Sequence, residues 1–267
     1  MLQSNNVDQA RIAALLRTRS VGRALRLLGQ CRSTNDEALA WARAGAPHGA
    51  VLIADGQSAG RGRLGRTWHS PPGENLYFST VLRPPLSPRA APPLALVAAV
   101  AVAETARAFG AAPDLKWPND LLLDGRKAAG ILCELLARPP PAERVDAVVV
   151  GIGVNLNGHA FPEELATRAT SLALVTGAAI DREAFVATLC ERLEAWHDRL
   201  VADGPAPVVA AWKGFARLLG RAVSVDNGRE RITGVAEDLD AEGALLVRRA
   251  DGVLLRVFAG ELSPGPT

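Results

Sequence analysis

Thirteen residues, GQSAGRGRLGRTW from Gly56 to Trp68, set the terms on which this chain of 267 residues can fold. Gly60, Gly62 and Gly65 alternate with Arg61, Arg63 and Arg66, and such a run offers neither a helix nor a strand face to a core. Each glycine brings ordering entropy and no side chain to bury, so the segment reads as a loop whose backbone approaches something closely. The guanidinium groups are planar forks matched to phosphate or carboxylate oxygens, which points to an anionic ligand. A solvated basic surface loop would have the same composition, so the rest of the chain has to decide. The spacing also satisfies GxGxxG, but that fingerprint must open a helix, and Trp68, His69, Pro71, Pro72 and Gly73 argue against one here.

Composition narrows the classes. A 48% hydrophobic, 22% charged chain is an ordinary globular protein, long enough for one mid-sized domain and a small one. A net charge of +2 gives no support to a general nucleic-acid binder, so any basic function is local. Cys31, Cys133 and Cys190 cannot all pair and show no CxxC spacing, which reads as free thiols in a reducing compartment. The N-terminus lacks a signal-peptide pattern, and the longest apolar run, Leu94 to Ala103, stops at Glu104, short of a membrane span. A cytoplasmic protein with no membrane contact is expected. Basic residues are nearly all arginine, and the three lysines are Lys116, Lys127 and Lys213. Two of them lie close together, where a compact ammonium suits the chemistry better than a fork.

The patterning expects an α/β alternation that changes character near the end. Thr34 and Glu37 have the capping-box spacing, which puts Ser33 and Thr34 at the start of a helix running to Ala44. Strands are expected at Ala50 to Ala54, Leu76 to Leu82, Leu115 to Trp117, Leu121 to Leu123, Ala128 to Leu136 and Ala147 to Leu156. Asp124 and Gly125 make the turn of a hairpin. A helix follows Pro92 and Pro93. A second carries Phe185, Leu189, Leu193, Trp196 and Leu200 as a core stripe, and a third spans Pro207 to Leu218. After Gly220, short strands separated by Asp/Gly turns read as a small antiparallel barrel. The expected division is a short N-terminal segment (1–30), a catalytic domain (31–218) and a small C-terminal domain (219–267).

The central segment KWPNDLLLDGRKAAGILCE, Lys116 to Glu134, carries the chemistry. Lys116, Asn119 and Asp120 fall at the end of one strand and Lys127 at the start of its partner, with Pro118 fixing the bend. Two ammonium groups and a carboxylate aimed at the Gly/Arg loop would suit a polyphosphate with magnesium; a solvated hairpin is the alternative. In GIGVNLNG, Asn155 and Asn157 are candidates to pair with a purine edge, or members of an Asn-rich turn. No Walker loop, Gly-x-Ser-x-Gly elbow or histidine metal spacing is present, so no metal ligands are assigned.

Taken together, GRGRLGRTW, KWPNDL and GRKAAGIL resemble the biotin protein ligases, closely over about Cys31 to Leu156 and loosely over the C-terminal barrel. The resemblance implies an α+β fold: a mixed sheet flanked by helices, with a small Src-homology-like β-barrel behind it. It implies that Ser33, Thr34 and Asn35 meet the ureido head of biotin and that Gln57 contacts it. By the same resemblance Gly60, Arg61, Gly62 and Arg63 close over biotin and its adenylate, Lys127 meets the biotin carboxylate and the reacting phosphate, and Gly130 is a further biotin-binding residue. Arg66, Trp68, Lys116, Asn119, Asp120 and Asn155 surround ATP, and Arg63 and Lys127 are the catalytic pair. Asp120 is a candidate to orient or deprotonate the acceptor amine. Biotin and ATP are then substrates, with Mg2+, and the partner is the biotin carboxyl carrier domain of a carboxylase. About 30 residues precede Cys31, too few for a winged helix, so the expectation is a monofunctional monomer or homodimer that binds no DNA. A lipoate or octanoate ligase of the same superfamily is the main alternative, and an Arg-rich nucleic-acid module the weaker one.

Overall fold

A computed structural model describes residues 7–136 and 144–265; the first six residues of the expected N-terminal segment lie outside it. Seven strands form one sheet: β1 (Leu25–Cys31), β2 (Ala50–Gln57), β3 (Leu76–Leu82), β4 (Asp114–Lys116), β5 (Asp120–Leu123), β6 (Arg126–Leu136) and β7 (Ala147–Val154). Their spatial order is β1-β2-β3-β7-β6-β5-β4, and only β1 and β2 run parallel. The parallel pair needs a crossover, which α2 (Thr34–Arg43) supplies.

Alternation along β7 shows how the two faces are used. Val148, Val150, Ile152 and Val154 belong to the main core, whereas Ala147 and Val149 pack with Ala38 and Ala42 of α2. The main core is roofed by α3 (Leu94–Ala108), which is apolar around most of its circumference because it touches the sheet on one side and α6 (Arg182–Asp203) and α7 (Ala206–Lys213) on the other. The stretch Pro88–Ala108 is long and apolar enough to cross a membrane by length and composition, but 67% of its apolar 18-residue window is buried inside the fold. α1 (Gln9–Leu15) packs on α6, and Ile12, Leu16 and Val21 join the same core.

Several expected boundaries shift for local reasons. Ser33, not Thr34, is the N-cap of α2, and its side chain makes no capping bond; the Thr34 N–H and hydroxyl are taken by Gln57 instead. The capping box therefore does not form. The helix expected to reach Leu218 ends at Lys213, before Gly214, and β7 ends at Val154 because the Asn155 N–H turns to the Ala128 carbonyl. Short helices α4 (Glu163–Ala166) and α5 (Leu172–Thr176) were not foreseen. At the C-terminus, β8 (Ala222–Asp226), β9 (Arg231–Leu239), β10 (Leu245–Arg248), β11 (Leu254–Val257) and β12 (Glu261–Pro264) form a second, antiparallel sheet in the order β11-β10-β9-β8-β12. Its outer strands β11 and β12 do not pair with each other, so the expected barrel is, in its strand pairing, an open sheet. Trp117 Nε1 donates to the Gly243 carbonyl at 3.1 Å and ties this sheet to the hairpin of β4 and β5.

Candidate active site

The α2 face of the large sheet is only half covered. Beyond the end of α2, the same face presents Tyr77 and Ser79 of β3, Gly151 and Gly153 of β7, and Gly130, Leu132 and Glu134 of β6. Strand register places Tyr77, Gly153 and Gly130 in one row and Ser79, Gly151 and Leu132 in the next. Above these rows lies a cavity of about 650 Å³, walled by the start of α2, the Gly/Arg loop, the β4–β5 hairpin, the segment from Phe161 to Ala169, and Gly260 to Leu262 of the C-terminal sheet.

Glycine in the middle of a strand means close approach here. A Cβ on Gly153 would stand 2.5 Å from Trp68 Nε1, and one on Gly130 would stand 3.1 Å from Trp68 Cζ3, so these cross-strand partners form a slot in which the indole lies. A Cβ on Gly151 would stand 2.0 Å from Asn35 Oδ1. The period-two G-I-G was the signal in the sequence for this floor, and the sequence reading passed over it.

The Gly/Arg loop folds across the cavity as a flap. Arg61 Nη2 meets both Asp36 Oδ1 and Glu134 Oε2 at 2.7 Å. Arg63 Nη1 donates to Asn119 Oδ1 at 3.3 Å; burial pushes its pKa down while the Asp120 carboxylate draws it back up. Arg66 pairs with Glu261 of the C-terminal sheet, and that hydrogen bond raises the pKa of Arg66 and lowers that of Glu261. Between them, the backbone turns left-handed through Leu64 (φ 57°) and Gly65 (φ 73°). A leucine in that region costs on the order of 1 kcal/mol and is 73% exposed, which marks a tip held by its neighbours and not by its own burial.

Lys127 Nζ lies 2.6 Å from Asp120 Oδ1 and 5.4 Å from the centre of the Trp68 ring. Its backbone is clamped in turn, with its N–H donating to the Arg168 carbonyl at 2.7 Å and its carbonyl accepting from the Thr170 N–H at 3.0 Å. Asn119 Nδ2 donates to the Ile131 carbonyl, so the Trp117–Asn119 bend is fastened to β6 while its Oδ1 stays turned to the flap. Lys116 also lines the cavity, near Glu261.

Fifteen of the sixteen residues that the resemblance assigned to the site line this one cavity. Gly60 does not. It lies beneath the flap, where a Cβ would strike Ser70 Oγ and the Trp68 carbonyl at 2.6 Å, so its role is to let the backbone pass. Asn157 is also corrected, because its Nδ2 and Oδ1 are both consumed by the Ile180 backbone and neither faces a base. Asn155 does line the cavity, although its Nδ2 donates to the Thr170 carbonyl. Asn35 is saturated too: Nδ2 donates to the Leu132 carbonyl and Glu134, and Oδ1 accepts from Ser79. Sequence reasoning missed Gly151, Gly153, Glu134 and Arg168.

All three cysteines are free thiols, as expected. Burial, with Glu37 and Asp36 adding to it, pushes the Cys31 thiol up to about 11, and burial pushes Cys133 up to about 12, so neither is a thiolate nucleophile at neutral pH. Among the described residues no group of three His, Cys, Asp or Glu could hold a metal ion.

The geometry can be set beside known proteins. The model of the biotin/lipoate A/B protein ligase family matches residues 28–155, and that of the biotin protein ligase C-terminal domain matches residues 218–263. The biotin--[acetyl-CoA-carboxylase] ligase of Paracoccus denitrificans is 40% identical over 85% of this chain and 95% of its own length. The bifunctional ligase/repressor BirA of Bacillus subtilis is 34% identical over 97% of this chain and 79% of its own. The biotin protein ligase from Aquifex aeolicus, solved in complex with biotin and ATP, superposes with a TM-score of 0.78 at 31% identity, covering 90% of this chain and 98% of that one. With a mixed sheet, a glycine-floored cavity and both family models along its length, the chain belongs to the biotin/lipoate A/B protein ligase family and carries the C-terminal domain of its biotin protein ligases.

Proposed function

We propose that this chain activates biotin with ATP and transfers it to a lysine of a biotin carboxyl carrier protein. In the first step a biotin carboxylate oxygen attacks the α-phosphorus of ATP, the bond to pyrophosphate breaks, and biotinyl-AMP forms. In the second, a lysine ε-amine attacks the acyl carbon, AMP leaves with the bridging oxygen, and the amine gives up its proton. The first step brings two anions together, and a site that promotes it must offset their repulsion with fixed cations. What supports the reading above all is that Arg63 on the flap and Lys127 on the hairpin both line one cavity although 64 positions separate them in the sequence.

The assignment of roles follows from that placement. Ser33, Thr34 and Gln57 form the end that takes the ureido head, with Asn35 supporting that wall through its own saturated amide. Arg61, Gly62 and Arg63 cover biotin, and Gly130 leaves space beside its carboxylate. Trp68, Arg66, Lys116, Asn119, Asp120 and Asn155 border the nucleotide. Trp68 Nε1, buried with no hydrogen-bond partner among the described residues, is a donor that a bound substrate would satisfy. A hard cation such as Mg2+ wants several oxygen ligands, and Asp120 is the hairpin's carboxylate in this cavity, so Mg2+ would arrive with the phosphates of ATP. The small domain is placed at 219–267, and its described residues close the nucleotide side through Glu261, behind a catalytic domain ending near 218.

The test is transfer of labelled biotin, and separately of labelled lipoate, to an apo carrier domain in the presence of ATP and Mg2+. Biotin transfer with release of AMP and pyrophosphate is expected; transfer of lipoate alone would replace this reading with the acyl-channel alternative.

A further inference from the structure

The two ends of the flap are joined by a hydrogen-bonded circuit that runs under the cavity. Arg61 Nη2 donates to Glu134 Oε2 at 2.7 Å, and the same oxygen accepts from Asn35 Nδ2 at 2.8 Å. Asn35 Oδ1 is 2.7 Å from Ser79 Oγ, which lies 2.9 Å from Thr34 Oγ1. The Thr34 N–H donates to Gln57 Oε1 at 2.8 Å, and Gln57 Nε2 donates to Ser70 Oγ at 2.9 Å. Ser70 Oγ then donates to the Trp68 carbonyl at 2.9 Å, and the Trp68 N–H to the Gly60 carbonyl at 2.9 Å, next to the starting point.

Within this circuit one atom, Glu134 Oε2, connects the cavity wall to the flap's charged side chain. We propose that Glu134 is a positioning residue that couples occupancy of the Ser33–Asn35 end to closure of the flap. The proposal rests on the reading above that biotin binds at that end. Arg61 also touches Asp36, but that carboxylate is 48% exposed, against 25% for Glu134, and an exposed pair holds a side chain weakly. Glu134 touches neither reacting atom; it keeps Asn35 in the wall and Arg61 over it with charge-assisted bonds, which are about twice as strong as neutral ones. Without it the wall and the flap would order separately, and binding at one would no longer organise the other.

Trypsin reads this directly, because it cuts after Arg61, Arg63 and Arg66. In the wild type, saturating biotin should slow cleavage of the flap at least about tenfold. In Glu134→Ala and Glu134→Gln the flap should be cut at nearly the same rate with and without biotin. In biotin-dependent pyrophosphate exchange, the loss in both should fall on KM for biotin, by about tenfold, more than on kcat. Glu134→Gln keeps an acceptor for Asn35 and serves where the alanine variant folds poorly. Equal biotin protection in the wild type and in Glu134→Gln overturns the coupling role while leaving the ligand assignment intact. Absence of protection in the wild type overturns the ligand assignment itself.

Discussion

An alanine at position 153 is the most direct test of how the flap is seated. Its Cβ would stand 2.5 Å from Trp68 Nε1 and Cε2 and 3.0 Å from Cζ2, where ordinary contact begins near 3.4 Å. The indole must therefore retreat by about 1 Å. It has the freedom to do so, because Trp68 sits on a loop and its Nε1 has no hydrogen-bond partner to lose among the described residues. β7 itself accepts the change, since alanine loses less entropy than glycine in an extended strand. Gly153→Ala should accordingly melt within about 2 °C of the wild type, yet a displacement of about 1 Å at a reacting site can cost on the order of 10²-fold in rate. Gly151→Ala provides the contrast. Its Cβ would fall 2.0 Å from Asn35 Oδ1, and Asn35 cannot yield, being held by Leu132, Glu134 and Ser79 and by its place in α2. That clash should appear as overpacking, roughly 1–3 kcal/mol of stability and several degrees of melting temperature. Thermal melts and biotin-dependent pyrophosphate exchange on the two variants decide the matter. If Gly153→Ala melts as low as Gly151→Ala, or exchanges pyrophosphate at the wild-type rate, Trp68 is not held in the glycine slot and the reasoning fails.

Other substitutions probe charge. If Arg63 has the role proposed above, Arg63→Ala removes a preorganised donor to developing charge and should lower the maximal pyrophosphate exchange rate about 10²- to 10³-fold, measured at saturating biotin and ATP. Arg182 and Asp55 form a buried pair at 3.2 Å, with Arg182 also donating to the Gly73 carbonyl just beyond the flap, so Arg182→Met should cost about 3–5 kcal/mol in urea unfolding. Burial raises the pKa of Glu194, but the N–H groups of Arg19, Ser20 and Val21 and the Ser20 hydroxyl outweigh it and hold the carboxyl at about 2. A depressed carboxyl stabilises fully above its unfolded value of 4.5 and loses that contribution as pH falls toward 2, on the order of 3 kcal/mol in all. Glu194→Gln should therefore flatten the stability–pH curve between those limits, and an unchanged acid limb would disprove the assignment.

The parts of the fold that were legible are those whose signal is local. The apolar stripe of α6, the Asp124–Gly125 turn and the helix introduced by Pro92 and Pro93 needed no tertiary information. β1 was hard to see because, at the sheet edge, its burial does not alternate cleanly, and the exposed Arg26 lies over the Trp41 ring. The end of β7 was misread because the Asn155 N–H finds the Ala128 carbonyl, and the cap of α2, though not its extent, was misread because Gln57 takes the Thr34 N–H. At the site, residues with distinctive chemistry were found because Gly, Arg and Lys are unusual in those patterns. Glu134 was missed because a carboxylate near the end of a strand looks like any solvated residue until Asn35 and Arg61 arrive from elsewhere in the chain. The part Gly151 and Gly153 play follows from what lies over them, which no spacing rule contains.

Charge pairing in the cavity also explains why its cations differ in kind. Arg61 is matched by Asp36 and Glu134, Arg66 by Glu261 and Lys127 by Asp120, whereas the hydrogen bond that Arg63 makes is to a neutral amide. On the proposed assignment a substrate phosphate approaching Lys127 meets Asp120 as well, and the lysine would do two jobs: attract the anion and screen a carboxylate that would repel it. Lys127→Ala should consequently be worse than the loss of one attraction, because Asp120 loses its ion-pair partner and keeps only the more distant Arg63. Adding Asp120→Asn to that variant removes the repulsion and should restore at least about tenfold of the lost pyrophosphate exchange, a coupling that neither single change predicts. The exchange assay isolates the first step, so a separate role for Asp120 toward the acceptor amine does not enter. A double variant no better than Lys127→Ala would mean that Asp120 does not oppose the incoming phosphate, and that the contact at 2.6 Å serves the shape of the hairpin and not the electrostatics of activation.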